Sequence, residues 1–203
     1  SRRSDIVFRL DETMPAEAYS LQVSDMGVEI ESASPAGFLY ALQTLSQLLY
    51  TSSDGTVPGC RIYDAPRTRW RAFQLDSGRQ YQRVETIKKY LDMMLSLKMN
   101  VFQWHLTEGL GWRVEIRKYP ELAIEGSRVA DGPEQQVYYT QDEIREIIRY
   151  AHDRNIMLVP EIDIPGHAEA ALSVYPQYSC FNRKPEIPKI GFTSEIFCAG
   201  KDA

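Results

Sequence analysis

The stretch Thr140-Gln141-Asp142-Glu143-Ile144-Arg145-Glu146-Ile147-Ile148-Arg149-Tyr150-Ala151-His152-Asp153-Arg154-Asn155-Ile156-Met157-Leu158-Val159-Pro160-Glu161-Ile162-Asp163 decides the fold. It predicts a helix over 141–154 followed almost at once by a strand over 156–162. Thr140 and Glu143 have the spacing of a capping box, in which each side chain satisfies a backbone N–H that the first helical turn leaves unpaired. Leu158 and Val159, like Val101 upstream, are residues that fill a sheet covered on both faces. Working backward, the same rhythm recurs as a strand over 70–75, a helix over 84–97 and a strand over 100–105. Strands alternating with helices predict an α/β fold with a parallel sheet, either doubly wound or closed as a barrel.

In both architectures chemistry gathers at the C-terminal ends of the strands. The first strand runs into Asp76-Ser77-Gly78-Arg79, the second into His105-Leu106-Thr107-Glu108, and the third into Glu161-Ile162-Asp163-Ile164-Pro165-Gly166-His167. Three strand ends rich in ionisable residues point to a site on one rim. The Arg79 guanidinium, with five donors in a fixed fork, suits two neighbouring sugar hydroxyls or a carboxylate; its structural alternative is a salt bridge to Asp76 or Glu108. Asp163 and His167 flank a Pro-Gly turn that can fold the imidazole back to the strand end, where a carboxylate would fix its tautomer; the alternative is a histidine bonded only for loop structure. Glu161, Asp163, His105 and His167 are ligand types for a metal. The chain has three His and neither H-x-H nor H-E-x-x-H, so no metal or other cofactor is expected. Gly109 and Gly111 do not continue into a phosphate-binding loop, and G-x-S-x-G is absent. Trp104 and Trp112 fit core or rim equally.

Ahead of this lies a different pattern. Residues 1–64 read as a small α+β domain, with strands over 6–10, 18–23 and 27–30 and a turn at Ser24-Asp25-Met26-Gly27. A helix follows, capped by Ser34 and opened by Pro35, its apolar face marked by Phe38, Ala41, Leu42, Leu45, Leu48 and Leu49. Asp64-Ala65-Pro66-Arg67 predicts the crossing into a second domain, residues 65–203. The 203 residues carry 23 Lys+Arg against 28 Asp+Glu, a net charge of −5 that argues against nucleic acid as a partner. At 43% hydrophobic and 25% charged the composition is that of a globular protein. No apolar run is long enough to span a bilayer, and Ser1-Arg2-Arg3-Ser4-Asp5 lacks the apolar segment of a leader, so any export signal is expected to have been removed. Cys60, Cys180 and Cys198 show no C-x-x-C spacing; at most Cys180 pairs with Cys198. The 3 Trp, 12 Tyr and 7 Phe suit a carbohydrate surface, although packed cores use aromatics more often.

The motifs together resemble family 20 glycoside hydrolases, the β-N-acetylhexosaminidases. The likeness rests on Arg71-Ala72-Phe73-Gln74-Leu75-Asp76-Ser77-Gly78-Arg79, on Lys98-Met99-Asn100-Val101-Phe102-Gln103-Trp104-His105-Leu106-Thr107-Glu108, on Gly111-Trp112-Arg113 and on Val159-Pro160-Glu161-Ile162-Asp163-Ile164-Pro165-Gly166-His167, in order and spacing. Residues 18–64 are similar to the small domain that precedes the barrel in that family. Glu108 stands where many members have Asp, Gly109 where many have a second Asp, and Ala72 where many have Gly.

The resemblance implies a TIM (β/α)8 barrel, of which residues 65–203 would supply the first three βα units; a whole barrel takes about 250 residues. It implies that Arg79 grips the 3- and 4-hydroxyls of a terminal N-acetylhexosamine, and that His105, Glu108, Asp163 and His167 support the site. The catalytic Asp-Glu pair is then expected beyond Ala203, on the fourth strand, and this chain by itself is expected to be inactive. The implied reaction is retaining hydrolysis in which the substrate's own acetamido oxygen is the nucleophile, removing terminal N-acetylglucosamine or N-acetylgalactosamine from glycans or chitooligosaccharides. Export to a periplasmic, secreted or lysosome-like compartment follows from the family's habit. The competing reading is a non-catalytic sugar-binding half-barrel, or half of a two-chain assembly, self-associating through exposed sheet edges. A metal-dependent hydrolase is a third and weaker reading.

Overall fold

The computed structural model describes residues 5–128, 136–187 and 195–201. Ser1 to Ser4, on which most of the leader reading rests, lie outside them. The chain divides into two compact units, residues 1–71 with 92–100 and residues 72–91 with 101–203.

The first unit is a four-stranded sheet with one helix. Strands β1 (Asp5–Leu10), β2 (Tyr19–Ser24), β3 (Gly27–Ser32) and β4 (Cys60–Asp64) lie in the order β1-β3-β2-β4. β1 runs parallel to β3, while β2 is antiparallel to both β3 and β4. Helix α1 (Pro35–Thr51) starts as expected, with Pro35 in its first turn and the Ser34 hydroxyl accepting from the Gly37 N–H. Its buried face, Ala36, Tyr40, Ala41 and Leu45, packs on Tyr19, Leu21 and Ile30. Gly37 permits that approach: a Cβ there would lie 1.9 Å from Ser32 Oγ and 2.4 Å from the Ala18 carbonyl oxygen. Polar ties anchor the residues on either side of the crossing. Lys98, in the left-handed region at φ 56°, sends its ammonium to Asp64 (2.7 Å) and to the Tyr19 hydroxyl (2.8 Å). Arg71 pairs with Glu17 at 2.9 Å and donates from Nε to the Lys98 carbonyl at 2.7 Å.

The second unit holds the parallel sheet. Strands β5 (Ala72–Asp76), β6 (Val101–His105) and β9 (Met157–Glu161) lie in the order β5-β6-β9, both pairs parallel. The expected start of β5 moves inward from Trp70, because the Asn100 side chain takes the Arg71 N–H at 3.0 Å before the ladder begins. Helix α2 (Val84–Ser96) follows β5, and α4 (Gln141–His152) precedes β9 with both halves of the Thr140/Glu143 capping box formed. Between them lie a short hairpin, β7 (Thr107–Glu108) with β8 (Gly111–Trp112), and helix α3 (Pro120–Ile124); α5 (Glu169–Val174) follows β9. Trp104 and Trp112 are both core residues. Val101 is buried as expected, whereas Leu158 and Val159 are only half-buried, because among the described residues β6 has a strand on each side and β9 on one. Among the described residues, no helix is long and apolar enough to cross a membrane.

Gly37→Ala should lower stability by about 3 kcal/mol, at the upper end of overpacking costs, since the two nearest atoms belong to the last residue of β3 and to the backbone just before β2, both against the sheet that α1 must contact. Urea denaturation of the two proteins checks this.

Candidate active site

The strand register sets the site. Asp76, His105 and Glu161 are direct partners across β5, β6 and β9, so three ionisable groups stand in one row at the C-terminal edge of the sheet. Just beyond it the chain is held by backbone bonds: the N–H groups of Ser77 and Gly78 donate to the His105 carbonyl (3.0 and 3.2 Å), and that of Leu106 donates to the Glu161 carbonyl (3.1 Å).

Glu108, on the hairpin strand β7, is the centre of the cluster. Its side chain is 4% exposed. One oxygen forms an ion pair with Arg79 at 2.9 Å and accepts from His105 Nε2 at 3.3 Å; the other accepts from His167 Nδ1 at 2.7 Å and from the Gly109 N–H at 3.0 Å. Burial alone would push this carboxyl up. The bonds from His105, Gly109 and His167, with the Arg79 charge, outweigh burial and hold it down at about 2.

His105 is bonded on both ring nitrogens, to Glu108 and, at 2.9 Å, to Glu161. The bond to Glu108, then burial acting against it, then the bond to Glu161 bring its pKa to about 9, so it is an imidazolium at neutral pH. Glu161 is fixed in turn by Gln103 Nε2 at 2.6 Å. Burial raises its carboxyl, but the bonds from Gln103 and His105 prevail and lower it.

Arg79 realises both arms of its structural alternative, pairing with Asp76 as well as Glu108. Its side chain is still 52% exposed, so donors of the fork remain open to solvent. His167 also lies at the site, folded back by the Pro-Gly turn, but the carboxylate that fixes its ring is Glu108. Asp163 is 3.8 Å from its Nε2, beyond hydrogen-bond range, and is held by its own N–H, which donates to Thr107 Oγ1 at 2.8 Å. His105, Glu161 and Asp163 bring ligand-type atoms within 4.8 Å of one another. Both ring nitrogens of His105 are already bonded to carboxylates there, Glu108 and Glu161.

Sequence reasoning passed over two contributors. Gln103 carried no signal beyond its place two residues before His105 on the same strand face. Gly78 is required because a Cβ would lie 2.7 Å from the Glu108 Cβ, and only its position at a strand end could have marked it.

Comparison with known proteins shows the family of the chain. The family model for the catalytic domain of glycosyl hydrolase family 20 matches residues 69–202, and that for domain 2 of the same family matches residues 1–65. The chain is 43% identical to a β-hexosaminidase of Porphyromonas gingivalis, an alignment covering 98% of this chain and 27% of that protein. The crystal structure of a β-N-acetylhexosaminidase from Bacteroides fragilis superimposes with a TM-score of 0.88 at 54% identity, covering 97% of this chain and 39% of that one. A Streptomyces plicatus N-acetyl-β-hexosaminidase gives 0.86 at 35% identity, covering 97% and 42%. Two domain models of a single glycoside hydrolase family thus account for nearly every residue. The chain belongs to glycosyl hydrolase family 20, and it spans well under half the length of these β-hexosaminidase relatives.

The His105–Glu108 pair predicts a stability plateau. His105 is raised above its ordinary 6.5, so its contribution is full below pH 6.5 and is lost as pH rises through about 9. Glu108 is lowered from 4.5, so its contribution is full above pH 4.5 and is lost as pH falls through about 2. Stability should therefore be greatest between pH 4.5 and 6.5. By the shift in His105, the protein should lose on the order of 3 kcal/mol toward pH 9 that His105→Gln does not. Urea midpoints of both proteins across that range are the check.

Proposed function

We propose that these residues form the sugar-gripping part of a retaining β-N-acetylhexosaminidase. The observation that carries the reading is Arg79: a guanidinium anchored by Asp76 and by buried Glu108, yet half exposed at the strand-end rim. Held so, it loses little freedom on meeting a ligand, and its open donors suit the 3- and 4-hydroxyls of a terminal N-acetylhexosamine. A Streptomyces plicatus β-hexosaminidase variant of 35% identity was solved with GlcNAc as its product, which supports this choice of sugar.

In this reading residues 65–203 are the first three βα units of a (β/α)8 barrel, and residues 1–64 are the small domain before it. The substrate's acetamido oxygen attacks the anomeric carbon, so the protein supplies no nucleophile. The acid that protonates the leaving oxygen belongs to an Asp-Glu pair on the strand after β9, beyond Ala203, and these 203 residues by themselves do not turn over. Glu108, His105, His167 and Asp163 act as positioning residues: Glu108 aims Arg79, and His105 and His167 keep Glu108 ionised. Chitooligosaccharides and glycan termini are the substrate class, and an exported compartment is the place of action. Self-association of these 203 residues by themselves would use the outer edges of β5 and β9, which the remaining strands of the barrel cover in the longer protein.

Arg79→Ala in the protein that carries these residues should lower kcat/KM for a nitrophenyl N-acetylglucosaminide by about 100-fold or more, the loss of two charge-assisted hydrogen bonds. Arg79→Lys should recover only a small part, because an ammonium cannot present the fork. A change within 3-fold for Arg79→Ala would remove the central observation.

A further inference from the structure

None of the three cysteines takes part in the chemistry proposed above, yet the backbone brings Cys180 and Cys198 together. Ser179 and Phe197 form an antiparallel bridge, and the Cys198 N–H donates to the Tyr178 carbonyl at 2.9 Å. Cys180 and Cys198 each follow directly on one of the two bridged residues, so the bridge holds them in one neighbourhood. Both are free thiols, and each shifts the ionisation of the other.

The segment carrying Cys198 is tied to the rim. The Phe197 N–H donates to the Pro165 carbonyl at 3.0 Å, two residues before His167. The Glu195 N–H donates to fully buried Glu169 at 3.2 Å. Lys201 reaches back to the carbonyls of Gln177 and Ser179 and, at 2.6 Å, to Asn182.

We propose that Cys180 and Cys198 are a disulfide site, closed by exchange with a low-molecular-weight disulfide, and that the closed bond fastens residues 195–201 beside the loop that carries His167. Cys198 is the attacking group. The interaction between the two thiols lowers the pKa of Cys198 from the ordinary thiol value and raises that of Cys180. The Cys198 thiolate attacks one sulfur of oxidised glutathione and expels a glutathione thiolate. Cys180 then loses its proton and displaces the second glutathione from the mixed disulfide. In sum two protein thiols give up two protons and two electrons, and one oxidised glutathione becomes two glutathione thiols. The third cysteine, Cys60 on β4, serves as the internal control.

The test equilibrates the protein with oxidised glutathione, then alkylates it under denaturing conditions and maps its peptides without reduction. The expected result is an adduct on Cys60 alone, with Cys180 and Cys198 peptides joined and two hydrogens lighter than their sum. Alkylation of Cys180 and Cys198 in the oxidised sample would overturn the site. For the fastening, amide exchange of Phe197 and Cys198 should quicken by about 10-fold or more when wild-type protein is reduced. Equal exchange in oxidised and reduced protein would overturn that part. Since Cys198→Ser could disturb folding, reduction of the wild type is the primary comparison, and Cys180→Ser, which leaves the tethered segment unaltered, is the second. That variant should exchange like the reduced protein under both conditions.

Discussion

A carboxylate out of water needs compensation, and Glu108 is the group around which this half of the molecule is arranged. Burying one charge costs several kcal/mol unless hydrogen bonds and opposite charge replace its hydration. Three donors and one cation do so, and they come from three separate segments: the cation Arg79 after β5, the donors His105 and the Gly109 amide at the end of β6 and in the hairpin, and the donor His167 after β9. None of these segments could move far without leaving the charge unpaired. The close packing of Gly78 on the Glu108 Cβ belongs to the same constraint.

The cluster alternates in sign along its length, Asp76 with Arg79, Arg79 with Glu108, Glu108 with His105 and His105 with Glu161. Each cation lies between two anions, which is why His105 holds its proton far above the ordinary imidazole range. The two readings of Arg79, structural ion pair and ligand grip, are therefore compatible. The pair with Glu108 fixes the guanidinium before any ligand arrives, and the exposed side of the fork is what remains for recognition.

Much of this was legible in the sequence where local chemistry is strong. Ser34 with Pro35 and Thr140 with Glu143 marked two helix starts, and the alternation of strands and helices gave the parallel sheet with the polar rim at the correct end. Short elements escaped. β7 and β8 have two residues each, too few for any periodicity, and exist because Gly109 and Leu110 turn the chain between them. β4 alternates in burial along Cys60-Arg61-Ile62-Tyr63-Asp64, but the residue types do not, with Asp64 on the inner face and Tyr63 on the outer, and α5 is six residues long with no side-chain cap at Ala168. In the site, residue types at strand ends identified Arg79, His105, Glu108, Asp163 and His167 as candidates. Which carboxylate holds His167 depends on how the hairpin folds Glu108 inward, a tertiary fact with no local signature.

The row of Asp76, His105 and Glu161 behaves as a graduated scale cut into the sheet. Parallel ladders lock each strand to its neighbour at every second residue, and side chains change face at each step. An extra residue within β5, β6 or β9 would turn one member of the row to the opposite face and empty its place. An extra residue in a connection at the other end of the strands would leave all three level. Length is thus rigidly prescribed inside these short strands and loosely prescribed outside them, so variation in this chain can accumulate in its helices and turns while the rim keeps its spacing.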